Sequence, residues 1–377
     1  MNTKFNRPEG KDPLIKLSQV SKVYRNAAGS FSALKDINVN FYEGEFIGVI
    51  GKSGSGKSTL VNMITGIDRP TQGEVVVDGR NIHAMKEGKQ ARWRGLNLGV
   101  VFQFFQLLPM LTLIENVLLP MDFCNKYDPA DRPDRAMNLL EMVGLGDVAQ
   151  KLPGSLSGGQ QQSAAIARAM ANDPPIIVAD EPTGNLDAKT ADSVYDKFSA
   201  LAGEGRTIIM ITHDPEIEHR LSRTILLSDG EVIDPILIHT LPWLPHPDLK
   251  ALGHALERET FAKGEIIDIS GKLANQLILI EEGRIQLKYT KKPHKDKEVI
   301  LTPGAFLGGK EIINDDRLSQ FTAKSKASST SIATLSWDKL AEALNSIEDG
   351  RSKFHQAIQA QMLGKEQEAA LETGVIR

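Results

Sequence analysis

Cysteine is almost missing from this chain: Cys124 is the single one among 377 residues. That excludes an internal disulfide framework and fits a reducing cytosol. Long hydrophobic runs are missing as well. The most apolar stretch, residues 96–121, is broken by Asn97, Gln103, Gln106, Pro109, Glu115, Asn116 and Pro120. A spanning helix needs about 20 mostly apolar residues, so no span is expected, and any membrane part comes from a partner. Residues 1–11 are polar with no apolar core, so no signal peptide is expected. An excess of positive charge is lacking too. Lys and Arg number 44 against 48 Asp and Glu, a net charge of −4. A whole-surface nucleic-acid binder is thereby excluded, which leaves room only for a local basic patch, and no nucleic-acid partner is expected.

The composition is otherwise that of a globular chain, and at about 150 residues per domain the length suggests two or three domains. Short apolar strands at 45–50, 98–102, 176–179 and 207–211 alternate with helical patterns at 57–67, 160–171 and 187–202. That alternation predicts a parallel sheet flanked by helices. Pro235, Pro242, Pro245 and Pro247 then crowd one stretch around Trp243 and read as a stiff linker. Beyond it, strand-like segments at 261–269, 276–281 and 284–289 are punctuated by Gly264, Gly271 and Gly283, with a helix near 338–344. The expected division is 1–234, a linker at 235–247, a small antiparallel β domain at 248–347, and a helical or flexible tail at 348–377. No internal repeat is present.

Residues Gly51-Lys52-Ser53-Gly54-Ser55-Gly56-Lys57-Ser58-Thr59 follow a strand and open a helix, the context in which a P-loop works. Glycines let successive backbone N–H groups face phosphate oxygens, and the helix N-terminus adds partial positive charge there. Lys57 is placed to reach the β- and γ-phosphates, and the Ser58 hydroxyl to ligate Mg²⁺. The bland alternative is a glycine-rich turn with a solvated lysine.

Residues 176–181, Ile-Ile-Val-Ala-Asp-Glu, form a buried strand ending in two carboxylates. Mg²⁺ prefers oxygen ligands, so Asp180 suits its first or second shell. Glu181 points elsewhere and is placed to polarise an attacking water. His213 follows the 207–211 strand, placed to contact the γ-phosphate or to hold the water with Glu181, although a lone histidine after a strand is more often structural. Gln103 alone carries almost no information.

Leu156-Ser157-Gly158-Gly159-Gln160 is the residue string of the ABC-ATPase signature. With it, the first 234 residues resemble an ABC-type nucleotide-binding domain. Tyr24, the P-loop, Gln103, the signature, Asp180-Glu181 and His213 all occur in the family's order, and Asn185-Leu186-Asp187 resembles its D-loop. The resemblance implies an α/β P-loop NTPase with a parallel sheet core, an antiparallel β subdomain and a helical subdomain. It implies ATP and Mg²⁺ as ligands, Tyr24 stacked on adenine, and Gly51 to Thr59 around the phosphates. Ser58, Asp180 and Gln103 fall at the metal. Gln103 also senses the γ-phosphate and couples to a membrane partner. Glu181 is the general base and His213 the switch histidine. Ser157 is a good helix N-cap, and Gly158-Gly159 leave N–H groups open ahead of the helix. In the family that turn, Asp187 and Gln160 close on the ATP of a second copy, giving two composite sites. Ser163 stands where the family carries Arg.

Residues 101–117 resemble more narrowly the branch serving lipoprotein-releasing, macrolide-efflux and cell-division permeases. That implies an ATP-hydrolysing export subunit, peripheral on the cytoplasmic face of the plasma (inner) membrane, with an integral permease partner. A mechanical ATPase that signals through a permease-like protein without transport is the alternative. A third reading, a soluble ATPase on DNA or ribosomes, calls for a second ATPase domain or long coiled coil, and neither is seen. The 248–345 region is similar to a cyclic-nucleotide-binding β-roll. Gly309 and Phe321 stand where the family places Glu and the phosphate-neutralising Arg, with only Lys310 and Arg317 nearby. A degenerate, regulatory or dimer-supporting module is therefore expected, and cyclic nucleotide is not. The basic 288–297 stretch reads as a solvated hairpin tip.

Overall fold

The computed structural model describes residues 12–26, 29–212, 214–269, 272, 275–289, 298–308 and 321–357. The first part carries ten strands: β1 (Ile15–Asn26), β2 (Gly29–Phe41), β3 (Phe46–Ile50), β4 (Gln72–Val77), β5 (Arg80–Asn81), β6 (Leu98–Val101), β7 (Ile176–Asp180), β8 (Thr207–Ile211), β9 (Arg223–Ser228) and β10 (Glu231–Ile233). Its helices are α1 (Lys57–Thr65), α2 (Glu87–Asn97), α3 (Leu113–Cys124), α4 (Arg132–Met142), α5 (Gly158–Ala169) and α6 (Ala188–Gly203). Strands β9-β3-β8-β7-β6 run parallel in that spatial order, with β10 antiparallel on the outer edge. A separate antiparallel sheet runs β2-β1-β4-β5.

Period-two alternation explains the layering. Along β7 and β8, Ile177, Ala179, Ile208 and Met210 join one core with Val117 of α3, Leu140 of α4, Ile166 of α5 and Phe198 of α6. The intervening Ile176, Val178, Ile209 and Ile211 face a second core with Leu60 and Ile64 of α1 and the antiparallel sheet. A sheet buried on both faces needs near-continuous apolar strands, which is what these two strands are.

The stretch read as a linker is helical. Pro235 opens α7 (Pro235–Thr240), and Pro245 precedes α8 (His246–His254), whose second residue is Pro247. Proline lacks the N–H that a helix's first turn leaves unused, so these prolines start helices instead of stiffening a tether. Ile236, Leu237, Leu241 and Leu244 are buried there.

Beyond α8, eight strands form two antiparallel four-stranded sheets. They are β11 (Glu257–Ala262), β12 (Ile266–Ile267), β13 (Gln276–Glu282), β14 (Ile285–Tyr289), β15 (Glu298–Leu301), β16 (Phe306–Leu307), β17 (Phe321–Ser325) and β18 (Ser329–Ser336). The spatial orders are β11-β18-β13-β16 and β12-β17-β14-β15. Helix α9 (Trp337–Asn345) follows, and residues 350–357 are helical. Ile278 and Ile280 of β13 face the second sheet, while Leu277 and Leu279 face the other way. There they share one core with α7, α8, α9 and Leu226 of β9, and Ile50 packs against it. Ile50 is the residue before the glycine loop, so the appended part rests on the strand that carries that loop. The basic 290–297 stretch and residues 309–320, with Gly309, Lys310 and Arg317, lie outside the described residues.

Candidate active site

Gly56 is the N-cap of α1 at φ 103, in the left-handed region, and a Cβ there would run into the Ala33 carbonyl. Only glycine fits, as the P-loop reading requires. Lys57 is buried, and its Nζ donates to the carbonyls of Gly51 at 2.9 Å and Lys52 at 3.1 Å. Its ammonium is folded back across the loop. The Ser55 hydroxyl is buried with no hydrogen-bond partner. A buried cation held by two carbonyls, an orphaned hydroxyl and the free N–H groups of a helix start together fit a phosphate. Ser53 and Gly54 are exposed at the lip.

Strand β7 ends beside this cradle. The Ser58 hydroxyl hydrogen-bonds Asp180. Burial pushes the Asp180 carboxyl above the usual carboxylate range, and the neighbouring Glu181 charge adds to this, against the pull of the Ser58 bond and of Lys57. A hydroxyl and a carboxylate already in contact are oxygen donors of the kind Mg²⁺ takes. Among the described residues no group of three or more His, Cys, Asp or Glu is arranged to hold a metal.

Glu181 has φ 45, a left-handed conformation that costs a non-glycine residue about 1–3 kcal/mol and gathers at functional sites. Its N–H donates to the Ile211 carbonyl at 3.0 Å, and Gly184 N–H donates back to the Glu181 carbonyl at 3.2 Å. The chain therefore leaves the sheet in a tight turn. A Cβ built on Gly184 would sit 3.1 Å from Gln103 Nε2 and 3.7 Å from Glu181 Oε2, so the Gln103 amide and the Glu181 carboxylate converge over that glycine. Asn185 Nδ2 donates to the Gln103 carbonyl at 3.3 Å.

Tyr24 in β1 is 41% exposed. Its hydroxyl donates to Asp68 at 2.9 Å and hydrogen-bonds Thr59 of α1, which places the ring beside the cradle. Lys22 Nζ lies 4.8 Å from the ring centroid and 2.7 Å from Asp68. One ring face thus already carries a cation.

Ser157, Gly158, Gly159 and Gln160 form a second cluster together with Asp187. Helix α5 starts at Gly158, two residues earlier than the apolar pattern predicts, because Ser157 and Gln160 make a reciprocal capping box. A Cβ on Gly159 would strike the Thr190 methyl of α6. Asp187 caps α6 by accepting from Thr190 N–H at 3.1 Å and Thr190 Oγ1 at 2.6 Å, and these bonds hold its carboxyl below the usual range. A cap and a close helix approach therefore account for part of the signature's residue choice. His213 lies outside the described residues.

Two functional candidates were not legible as motifs. Arg168 on α5 is half-buried and donates to the carbonyls of Phe105 at 2.9 Å and Gln106 at 2.5 Å, pinning two non-glycine residues at φ 44 and 49. Tyr195 on α6 is buried with its hydroxyl in a polar bridge. A helical Arg and an apolar-face Tyr give no local signal, since only their long-range partners distinguish them. Phe104 (72% exposed) and Met110 (86%) stand out to solvent beside the Gln103 turn.

Comparison with known proteins shows the family. The model of the ABC transporter family matches residues 34–184. The chain is 44% identical over 220 residues to the uncharacterized ABC transporter ATP-binding protein YknY of Bacillus subtilis, covering 58% of this chain and 95% of that one. It is 43% identical over 222 residues to the macrolide export ATP-binding/permease protein MacB 1/2 of Paracoccus denitrificans, covering 59% of this chain and 33% of that one. Among solved structures, the dimeric post-hydrolysis state of the ATP-binding cassette MJ0796 bound to ADP and Pi aligns with a TM-score of 0.56. It shares 42% identity and covers 58% of this chain and 97% of that one; MJ0796 comes from Methanocaldococcus jannaschii. No helix among the described residues is long and apolar enough to cross a membrane. The chain belongs to the ATP-binding subunits of ABC transporters, Mg²⁺-dependent ATPases that drive membrane permeases.

Proposed function

We propose that two copies of this chain close head to tail on ATP beneath an export-type permease, on the cytoplasmic face of the membrane. In each site the 51–59 loop and Lys57 grip the β- and γ-phosphates, and Tyr24 offers its free ring face to adenine. Ser58, Asp180 and Gln103 hold Mg²⁺, which when bound neutralises charge building on the phosphate oxygens. Glu181 takes the proton of the attacking water, with Gln103 and His213 orienting it. The open N–H groups of Gly158 and Gly159, with Ser157, Gln160 and Asp187, face the γ-phosphate gripped by the other copy. The observation that carries this reading is the convergence of Gln103 and a backbone-strained Glu181 over Gly184, next to the Asp180–Ser58 pair.

The likeness to a macrolide export protein supports cargo of the macrolide, lipoprotein or peptide kind. The exposed Phe104 and Met110 supply an apolar face for a permease helix. The two appended antiparallel sheets are a β-roll of the cyclic-nucleotide-binding kind that has lost its ligand and acts as a regulatory or dimer-supporting module. Phe321, opposite Tyr289 in β17, supplies no charge for a cyclic phosphate.

Replacing Glu181 tests the reading. Glu181→Gln keeps ATP binding and lowers turnover by about 10²–10⁴-fold. Turnover close to that of the unaltered chain contradicts the assignment.

A further inference from the structure

We infer that Tyr195 is a positioning residue for hydrolysis, its hydroxyl tying the turn that carries Glu181 to the loop that follows β8. The inference rests on the reading of Glu181 as the base. Tyr195 is 1% exposed, and a buried tyrosine needs a partner for its O–H. It has partners from both loops, Thr183 from one and Thr212 and Asp214 from the other. The Thr183 hydroxyl lies 2.7 Å from the Tyr195 hydroxyl, and the Tyr195 hydroxyl donates to Asp214 Oδ2 at 3.0 Å. A carboxylate only accepts, so the tyrosine proton points to Asp214 and the threonine proton to the tyrosine oxygen. Asp214 N–H in turn donates to Thr212 Oγ1 at 3.0 Å.

Thr183 stands two residues after Glu181, inside the turn closed by the Gly184 to Glu181 bond. The strain at Glu181 has to be held by its surroundings, and this bridge is one of the groups that holds it. The same helix grips the 215–220 segment a second time. Arg220 pairs with Asp196 at 2.5 Å and Asp192 at 3.7 Å, and its guanidinium lies 6.0 Å from the Tyr195 ring centroid. At its start, α6 meets the signature glycine through Thr190. One rigid helix therefore fixes three loops of the site. Burial pushes the Tyr195 hydroxyl further above its ordinary value, so it stays a donor at neutral pH.

The test is steady-state hydrolysis by the purified full-length chain. Tyr195→Phe keeps the ring and removes only the bridge. A small misplacement of a reacting group costs up to about a hundredfold. Turnover at saturating ATP is expected to fall about tenfold or more, with KM for ATP within about twofold. Thr183→Val cuts the same bridge from its other end, and the double variant should be no slower than the slower single one. A turnover loss below about tenfold, a KM rising in step with the loss, or losses that multiply in the double variant each overturn the inference. Glu181→Gln runs alongside. If it still turns over, the reading of the base has failed. If it is inactive while Tyr195→Phe is normal, only the present inference has.

Discussion

In the nucleotide-binding part, parallel strands deliver Lys57, Asp180 and Glu181 to one edge, where burial lifts the Asp180 carboxyl above its usual range. In the appended part, antiparallel strands spread their charges and match them across the surface. Arg258 joins Glu281 and Lys272 joins Glu259 within it, and across the seam Arg258 also joins Asp234 while Glu231 of β10 collects Lys250 and His254. The nucleotide-binding part has matched surface pairs as well, Arg206 with Asp173 and Arg220 with Asp196 among them, but at the glycine loop a lysine and two adjacent carboxylates are gathered at one strand end. A half-buried carboxylate beside a second carboxylate at a glycine loop is the kind of cluster that gathers at functional sites, and a matched surface pair is not. The two parts are nonetheless one body at their seam, because α7 and α8 bury a core that reaches from β9 and Ile50 to the appended sheet.

That seam gives the largest expected effect. Leu237 is 0% exposed in it, so Leu237→Ala should cost about 2–5 kcal/mol. Calorimetry of the full chain should show the nucleotide-binding transition lowered together with the rest. A separate, unshifted transition for that part breaks the claim of a shared core. Next comes Lys57→Ala. Removing a charge-assisted donor of about 1.5–3 kcal/mol should weaken ATP binding by about tenfold to hundredfold, read by titration calorimetry. Unchanged affinity breaks the idea that charge converges there for a ligand.

The smallest effect tests the half-buried Asp180 carboxylate itself. Its folded pKa is raised, so the ionised form disfavours the fold: stability is present below the unfolded carboxylate pKa of about 3.9 and lost as pH rises through the folded value. Asp180→Asn removes that penalty. Its stability relative to the unaltered chain should increase as pH climbs from 4 to 7 and vanish toward the acid end, measured by denaturant unfolding. A difference that does not change with pH contradicts the burial argument.

The residues whose meaning is local were legible in the sequence. The glycine loop, the β7 carboxylates and the signature turn announce themselves by spacing, and the alternation of short apolar strands with helical patterns gives a parallel sheet flanked by helices directly. What stayed hidden depends on distant partners. The prolines at 235, 245 and 247 read as a linker because a helix start and a stiff coil share that residue, and only the buried Ile236 and Leu237 decide between them. Arg168 and Tyr195 look like ordinary helix residues until their contacts, 63 and 12 residues away, are seen. Gly159 read as an anion site, and its close approach to Thr190 came only with the fold.

The central claim is that ATP joins two copies of this chain, each supplying its serine–glycine turn to the other's nucleotide. The most direct measurement is the solution mass of the Glu181→Gln chain by light scattering, with saturating ATP and then with ADP. The account predicts a dimer with ATP and its dissociation with ADP; a mass that is the same with both nucleotides contradicts it.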